Sequence, residues 1–136
     1  MFRILIMAHA PLASGTCAAA SGILGQDIPV YGLDTNLEQT PEQRLATMRG
    51  MLDELLASGD VLVLVDFLGG TPSNIVLPEL GRQGVEIVTG YNLPMGFKAV
   101  ALARSGTRVQ EAARELVSYA PQHIRLMSDM LSKVGK

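Results

Sequence analysis

The 136-residue sequence is short of several residue types, and each shortage excludes a class of protein. Cys17 is the only cysteine, so no intrachain disulfide can form and a reducing compartment is expected. Three tyrosines, three phenylalanines and no tryptophan argue against a stacking platform for bases or sugars. Eleven basic residues against thirteen acidic ones, with no basic run, argue against a nucleic-acid surface.

Long apolar runs are also missing. No segment approaches the roughly 20 apolar residues that a membrane span needs. The apolar N-terminus, residues 1–8, stops at His9 and Pro11, and it is too short and too poor in basic residues for a secretory signal. We therefore expect a buried strand at the N-terminus of a cytoplasmic protein that does not insert into a membrane.

Four short runs rich in Ile, Leu and Val are present instead, each followed by a loop and a helix-compatible segment. This alternation predicts an α/β protein with a central, mostly parallel sheet and crossover helices. The length fits a single domain over residues 1–136, with no linker or repeat. The predicted strands cover residues 3–8, 29–33, 60–66 and 85–89.

Helical patterns fill the intervals between these runs. Thr40 and Pro41 suit the start of a helix whose leucines recur at helical spacing until Gly59. Other helices are predicted over residues 12–25, 72–82, 94–104 and 109–120. The last segment, residues 122–127, alternates apolar and polar side chains, which predicts a half-exposed strand at the C-terminus.

Open parallel sheets bind ligands beyond the carboxyl ends of their strands, where the strand order reverses. His9 follows the first predicted strand and Asp66 ends the third. If these strands are neighbours, as in the flavodoxin-like order, their ends lie about 5 Å apart and the two side chains can touch. The carboxylate would then hold one imidazole nitrogen and leave the other free as nucleophile or ligand. Which nitrogen is free stays open at this point.

The loop after Asp66 offers a place for an anion. Gly69 and Gly70 let the backbone approach closely, and the Thr71 hydroxyl stands beside the N–H groups that open a helix. A histidine facing such a loop suggests phosphoryl transfer through a phosphohistidine, although Gly-Gly-Thr-Pro is also a common turn from strand to helix.

The remaining polar candidates have plainer interpretations. Asn92 is a turn residue at a strand end, with a pocket role left open, and His123 is expected to be structural. Cys17 is expected to pack against its neighbours. Two histidines and one cysteine form no metal-ligand spacing, so we expect no metal site.

Three ordered motifs carry a resemblance to a known family over nearly the whole chain. They are Ile4-Leu5-Ile6-Met7-Ala8-His9, the run from Leu64 through Asp66 and Gly69-Gly70-Thr71-Pro72-Ser73-Asn74, and Gly90-Tyr91-Asn92-Leu93-Pro94-Met95. The chain resembles the EIIA domain of the mannose-family sugar phosphotransferase system. The resemblance implies a flavodoxin-like, three-layer α/β subunit in a cytoplasmic homodimer that exchanges a C-terminal strand, for which residues 122–127 are the candidate.

The resemblance also implies roles for particular residues. His9 would accept a phosphoryl group from the histidine-containing phosphocarrier protein, with Asp66 as its orienting partner. Gly69, Gly70, Thr71 and Ser73 would hold the phosphoryl group, which passes to an EIIB component and then to a sugar. No metal or organic cofactor is implied.

The sequence departs from the family pattern at two places. Ala10 and Pro11 follow His9, where the family commonly has glycine, and residues 1–136 include no EIIB domain. A regulatory module whose His9 phosphorylation state controls binding to another protein is therefore a second hypothesis. A phosphate-binding or hydrolytic α/β protein unrelated to sugar transport is a third.

Overall fold

A computed structural model describes residues 1–134. Four parallel strands form one sheet in the order β2-β1-β3-β4. The strands are β1 (Arg3–His9), β2 (Val30–Thr35), β3 (Val61–Val65) and β4 (Val85–Thr89). The described helices are α1 (Leu12–Leu24), α2 (Pro41–Leu56), α3 (Thr71–Val76), α4 (Leu93–Arg104), α5 (Val109–Tyr119) and α6 (Met127–Val134). The predicted α/β class with a central parallel sheet is confirmed.

The sheet has a core on each face, because successive side chains of a strand point to opposite sides. Ile4 and Ile6 of β1 belong to the cluster that includes buried residues of α4 and α5. Leu5 and Met7 belong to the other cluster, which includes buried residues of α2. All five residues of β3 are buried, as expected for a central strand covered on both faces. The result is three layers.

The longest predicted helix begins where its sequence signal places it. The Thr40 hydroxyl accepts a hydrogen bond from the Gln43 backbone N–H, and the Gln43 side chain accepts one from the Thr40 N–H. This reciprocal pair satisfies two N–H groups that the first helical turn leaves free. Pro41 follows the cap, at a position where its missing N–H costs nothing.

The helix predicted over residues 72–82 is shorter in the structure. Regular α3 ends at Val76, and a single 3-10 turn, Leu77–Glu79, follows it. Pro78 has no N–H to donate to the carbonyl four residues earlier, and its ring crowds that turn. The prediction was therefore wrong beyond Val76, since it gave this proline too little weight.

The strand predicted over residues 122–127 is also wrong for the single chain. A 3-10 turn, Ala120–His123, extends α5, and α6 begins at Met127. The turn packs against α4 and α5 instead of lying beside an edge strand. Apolar alternation produces a strand only where a sheet edge can take up the backbone hydrogen bonds, and within residues 1–134 this segment pairs with no strand of the sheet.

The helices also bear on membrane insertion. Over residues 1–134, no helix combines the length and the apolar composition needed to cross a bilayer.

Candidate active site

The strand order brings the two predicted site residues together. β1 and β3 are direct neighbours, with Met7 opposite Val65 at the end of their pairing. His9 lies two residues beyond Met7, and Asp66 lies one residue beyond Val65. β1 pairs with β2 on its other side and β3 pairs with β4, so the order reverses between β1 and β3. This is where open α/β sheets bind ligands.

Asp66 holds His9 through both its backbone and its ring. One carboxylate oxygen, Oδ2, lies 2.7 Å from the imidazole Nδ1 and accepts the His9 backbone N–H at 3.1 Å. The other, Oδ1, accepts the Phe67 backbone N–H at 2.9 Å. The Asp66 side chain is only 9% exposed, whereas the His9 side chain is 37% exposed. The carboxylate is thus fixed inside the protein while the imidazole reaches solvent.

The charge of Asp66 determines the histidine tautomer. Burial raises the pKa of Asp66, but the hydrogen bonds from the His9 ring, the His9 N–H and the Phe67 N–H outweigh it, so the pKa lies below its ordinary value. An ionised carboxylate only accepts hydrogen bonds, so Nδ1 must carry the proton that joins the two side chains. In neutral imidazole, Nε2 is then left with the free lone pair.

The lowered pKa of Asp66 predicts how the protein responds to acid. The ionised carboxylate stabilises the folded state above about pH 4, and this contribution is lost as the pH falls through the lower pKa of the folded state. We expect the difference in unfolding free energy between wild type and Asp66→Asn to shrink as the pH falls from about 4 toward 2. Urea titrations at several pH values would measure it, and a difference that grew on acidification would contradict the assigned hydrogen bonds.

Phe67 is a site residue that the sequence analysis missed. Its ring stacks on the His9 imidazole, with centroids 5.2 Å apart and an angle of 5° between the planes. Gly70 leaves room for this pair, because a Cβ there would lie 2.7 Å from Phe67 Cζ and 3.0 Å from His9 Cε1. No local pattern marks an aromatic residue after a strand as a stacking partner. The paired glycines indicated only that some group packs closely against this loop.

The loop predicted to bind an anion, Gly69-Gly70-Thr71, comes after Phe67 in the chain. Gly69 has a φ of +92°, which glycine adopts without strain, and Gly70 caps α3. Thr71 opens α3 and is half-buried, and its hydroxyl makes no hydrogen bond to any residue that the structure describes. Ser73 is buried, with 5% exposed. Of the two hydroxyl side chains, that of Thr71 is the more accessible.

Asn92 caps a helix at the edge of a groove that also reaches His9. Its side-chain oxygen accepts the Met95 backbone N–H at 2.9 Å, which fits the interpretation as a turn residue. His9, Asn92 and Leu93 line the groove, whose volume is about 640 Å³, together with residues of α1. Tyr91 also lines it, and burial raises the pKa of Tyr91 to about 12, so its hydroxyl stays protonated at neutral pH.

The other histidine and the cysteine lie outside this constellation. The His123 ring stacks on Tyr119, and its Nδ1 lies 3.1 Å from the Tyr119 carbonyl oxygen, which agrees with a structural role. Burial, with a smaller effect of Asp34, raises the pKa of the Cys17 thiol and disfavours a reactive thiolate. Across residues 1–134, no three His, Cys, Asp or Glu side chains gather in a way that could hold a metal ion.

Comparisons with known proteins agree with this architecture. An EIIA protein of the phosphotransferase system from Streptococcus agalactiae has the same fold, with a TM-score of 0.82 at 22% identity over 95% of this chain and 99% of that one. The IIA protein associated with the fucose utilization operon of Streptococcus pneumoniae is 28% identical, with a TM-score of 0.80 over 96% of this chain and 97% of that one.

A further relative and a family model extend the comparison. The mannose/sorbose-specific IIA subunit of Enterococcus faecalis is 25% identical, with a TM-score of 0.80 over 92% of this chain and 93% of that one. Residues 3–118 match the model of the EIIA-man family, described as the fructose IIA component of the phosphotransferase system. The chain therefore belongs to the EIIA-man family of phosphotransferase-system components.

Proposed function

We propose that this chain is a cytoplasmic phosphohistidine carrier. His9 accepts a phosphoryl group from the histidine-containing phosphocarrier protein and passes it to an EIIB component of a sugar phosphotransferase system. The observation that carries the proposal is the 2.7 Å contact between His9 Nδ1 and Asp66 Oδ2, which leaves Nε2 as the nucleophile at the solvent edge of the site. Membership of the EIIA-man family supports phosphoryl transfer as the general activity.

The transfer is a displacement at phosphorus. The Nε2 lone pair forms a new N–P bond while the N–P bond to the donor's histidine breaks, and the donor's ring keeps the electron pair of that bond. The His9 ring gains positive charge as the bond forms, and the Asp66 carboxylate on Nδ1–H stabilises that charge. Onward transfer reverses these roles, with His9 as the leaving group.

The loop after Asp66 is the proposed binding site for the phosphoryl oxygens. Its proposed hydrogen-bond donors are the backbone N–H groups of Gly69 and Gly70, the Thr71 hydroxyl and, in the same turn, Ser73. Glycine at position 70 lets this loop lie close to the His9 imidazole, because any Cβ there would collide with the stacked rings of Phe67 and His9. No metal or organic cofactor has a role in this scheme.

A protein donor must reach a histidine that is only partly exposed. Phe67 is 52% exposed and Leu68 is 76% exposed, so large apolar side chains stand in the loop beside the imidazole. Apolar groups around an accessible reactive residue are typical of a surface that is covered when a partner docks. This arrangement supports transfer between two proteins over reaction with a free phosphoester.

The position of the phosphate tests the proposal directly. The chain would be incubated with phosphoenolpyruvate, enzyme I and the phosphocarrier protein, and phosphorus and nitrogen NMR would then identify the phosphorylated atom. We expect phosphate on His9 Nε2 and its loss when an EIIB protein is added. Phosphate on Nδ1 would contradict the proposed geometry, and stable phosphorylation without transfer to any EIIB would favour the regulatory hypothesis.

Gly70→Ala is expected to slow phosphorylation and to cost some stability, because the Phe67 ring must shift to admit the new methyl group. The backbone at Gly70, with φ of −78°, accepts alanine, so the change acts only through the new methyl group against Phe67 and His9. We expect the rate of phosphorylation to fall roughly ten-fold, because a displaced nucleophile attacks poorly. Gly50→Ala in α2 is the control, since a Cβ there meets nothing within 4 Å. Equal rates for the two variants would contradict the role of Gly70.

We also propose that the chain works as a homodimer with an exchanged C-terminal strand. Ile124 is 77% exposed and Met127 is 80% exposed, so the segment predicted as a strand presents apolar side chains that no described residue of its own chain covers. Pairing with the sheet edge of a second copy would bury them. Light scattering should give a dimer for the full chain and monomers or aggregates after removal of residues 121–136. A truncated protein that stayed dimeric would contradict the exchange.

A further inference from the structure

A recess of about 360 Å³ lies between α2 and α3, and it shares no lining residue with the groove at His9. Its polar lining residues are Arg44, Thr71 and Asn74, and its apolar lining residues include Leu45, Ile75 and Pro78. None of the described residues that line it is acidic. A concave site with an apolar wall and a few convergent polar groups is the usual form of a small-molecule site.

The Arg44 guanidinium is anchored along one edge. Its Nε–H and Nη2–H groups both donate to the Gln39 carbonyl oxygen, at 3.1 Å and 2.9 Å, so one edge of the guanidinium is anchored to the loop before α2. The Nη1 group makes no hydrogen bond and no ion pair with any of residues 1–134. The outer edge of the guanidinium is therefore free for the paired hydrogen bonds that carboxylate and phosphate oxygens accept.

Two further hydrogen-bond donors line the same recess. The side chains of Thr71 and Asn74 form no hydrogen bond in the part of the chain that the structure describes. A hydroxyl, an amide NH₂ and a preorganised guanidinium all prefer oxygen acceptors, and an anion supplies several of them at once. Arg44 carries the only charge among the described residues that line this recess.

We propose that this recess binds a small organic anion, in which a phosphate or carboxylate group meets Arg44, Thr71 and Asn74 while an apolar body lies against Leu45, Ile75 and Pro78. The volume suits a small molecule. Thr71 also belongs to the proposed phosphoryl loop, so an occupied recess competes for its hydroxyl and slows phosphorylation of His9. That regulatory link rests on the proposed function, whereas the binding itself does not.

Phenyl phosphate is the probe, because it carries both a phosphate and an apolar ring. The titration would follow backbone amide shifts by NMR in the His9→Ala protein, which removes any phosphoryl chemistry. We expect saturable shifts centred on Arg44, Thr71 and Asn74. Inorganic phosphate, which lacks the ring, should bind more weakly, and benzyl alcohol, which lacks the charge, should not bind. Benzoate in place of phenyl phosphate distinguishes carboxylate from phosphate preference.

Variants decide whether the site is the one proposed. Arg44→Gln should weaken binding about ten-fold or more, and Asn74→Ala, which leaves the anchored loop intact, roughly five-fold. Arg114→Gln, which removes the same charge from an exposed position on α5, should bind as the parent does. Equal affinities for Arg44→Gln and Arg114→Gln would overturn the site, as would shifts centred on Gly70 and Phe67. Binding with no effect on phosphorylation in the wild-type chain would remove only the regulatory link.

Discussion

Replacing His9 with alanine is expected to abolish phosphorylation of the chain by the phosphocarrier protein. The chain has only two histidines, so His123→Ala is the matched control and should take up one phosphate as the wild type does. The reason is geometric, because His9 is held by a carboxylate beside a glycine loop, whereas His123 stacks on Tyr119. Intact-mass spectrometry at neutral to alkaline pH, where the N–P bond survives, would measure the added phosphate.

The His9 result can be separated from a folding defect. His9 is partly exposed at the end of β1, so its loss should leave the circular dichroism spectrum close to that of wild type. The thermal transition should fall modestly, because the buried Asp66 carboxylate loses the hydrogen bond from the ring. A phosphate that persisted on the folded His9→Ala protein would overturn the assignment. No phosphate on the wild type would remove the carrier proposal and bring forward the hypothesis of a phosphate-binding protein.

The second large effect is expected at Asp66, and the two substitutions should differ. Asp66→Ala removes both the negative charge and the acceptor that fixes the ring, so we expect phosphorylation to slow about 100-fold or more. In Asp66→Asn the amide oxygen can take the position of Oδ2, where it accepts the backbone N–H and the Nδ1–H of His9. The flipped amide would place its NH₂ group against these two donors and is therefore disfavoured. Asp66→Asn loses the charge and the bond from Phe67, so its rate should fall between those of wild type and alanine.

Single-turnover kinetics with the phosphorylated donor protein would measure these rates. Asp34→Asn is the control, because Asp34 is another aspartate at a strand end and accepts the Ser14 backbone N–H at 3.1 Å without touching His9. Equal rates for Asp66→Ala and Asp34→Asn would contradict the role given to the carboxylate. A faster rate for Asp66→Ala than for Asp66→Asn would indicate that the amide holds the wrong tautomer.

Much of the fold was predictable because its signals are local. The five-residue apolar run of β3, the cap at Thr40 and the glycine that ends α1 each depend on residues adjacent in sequence. The contact between His9 and Asp66 was also predictable, since a parallel sheet places the ends of neighbouring strands together. The paired glycines after Asp66 indicated that another group packs closely against the backbone there, but the sequence did not identify that group as the stacked rings of Phe67 and His9.

The sequence by itself therefore determined the α/β class, the strand ends at which the candidate site lies and the contact between His9 and Asp66. Only the tertiary structure decided which imidazole nitrogen is free, that Phe67 stacks on the ring, and that Arg44, Thr71 and Asn74 line one recess. It also placed residues 122–127 outside the sheet of their own chain. Periodicity and capping act over a few neighbouring residues, whereas these features depend on side chains and backbone edges that meet only after distant segments have packed.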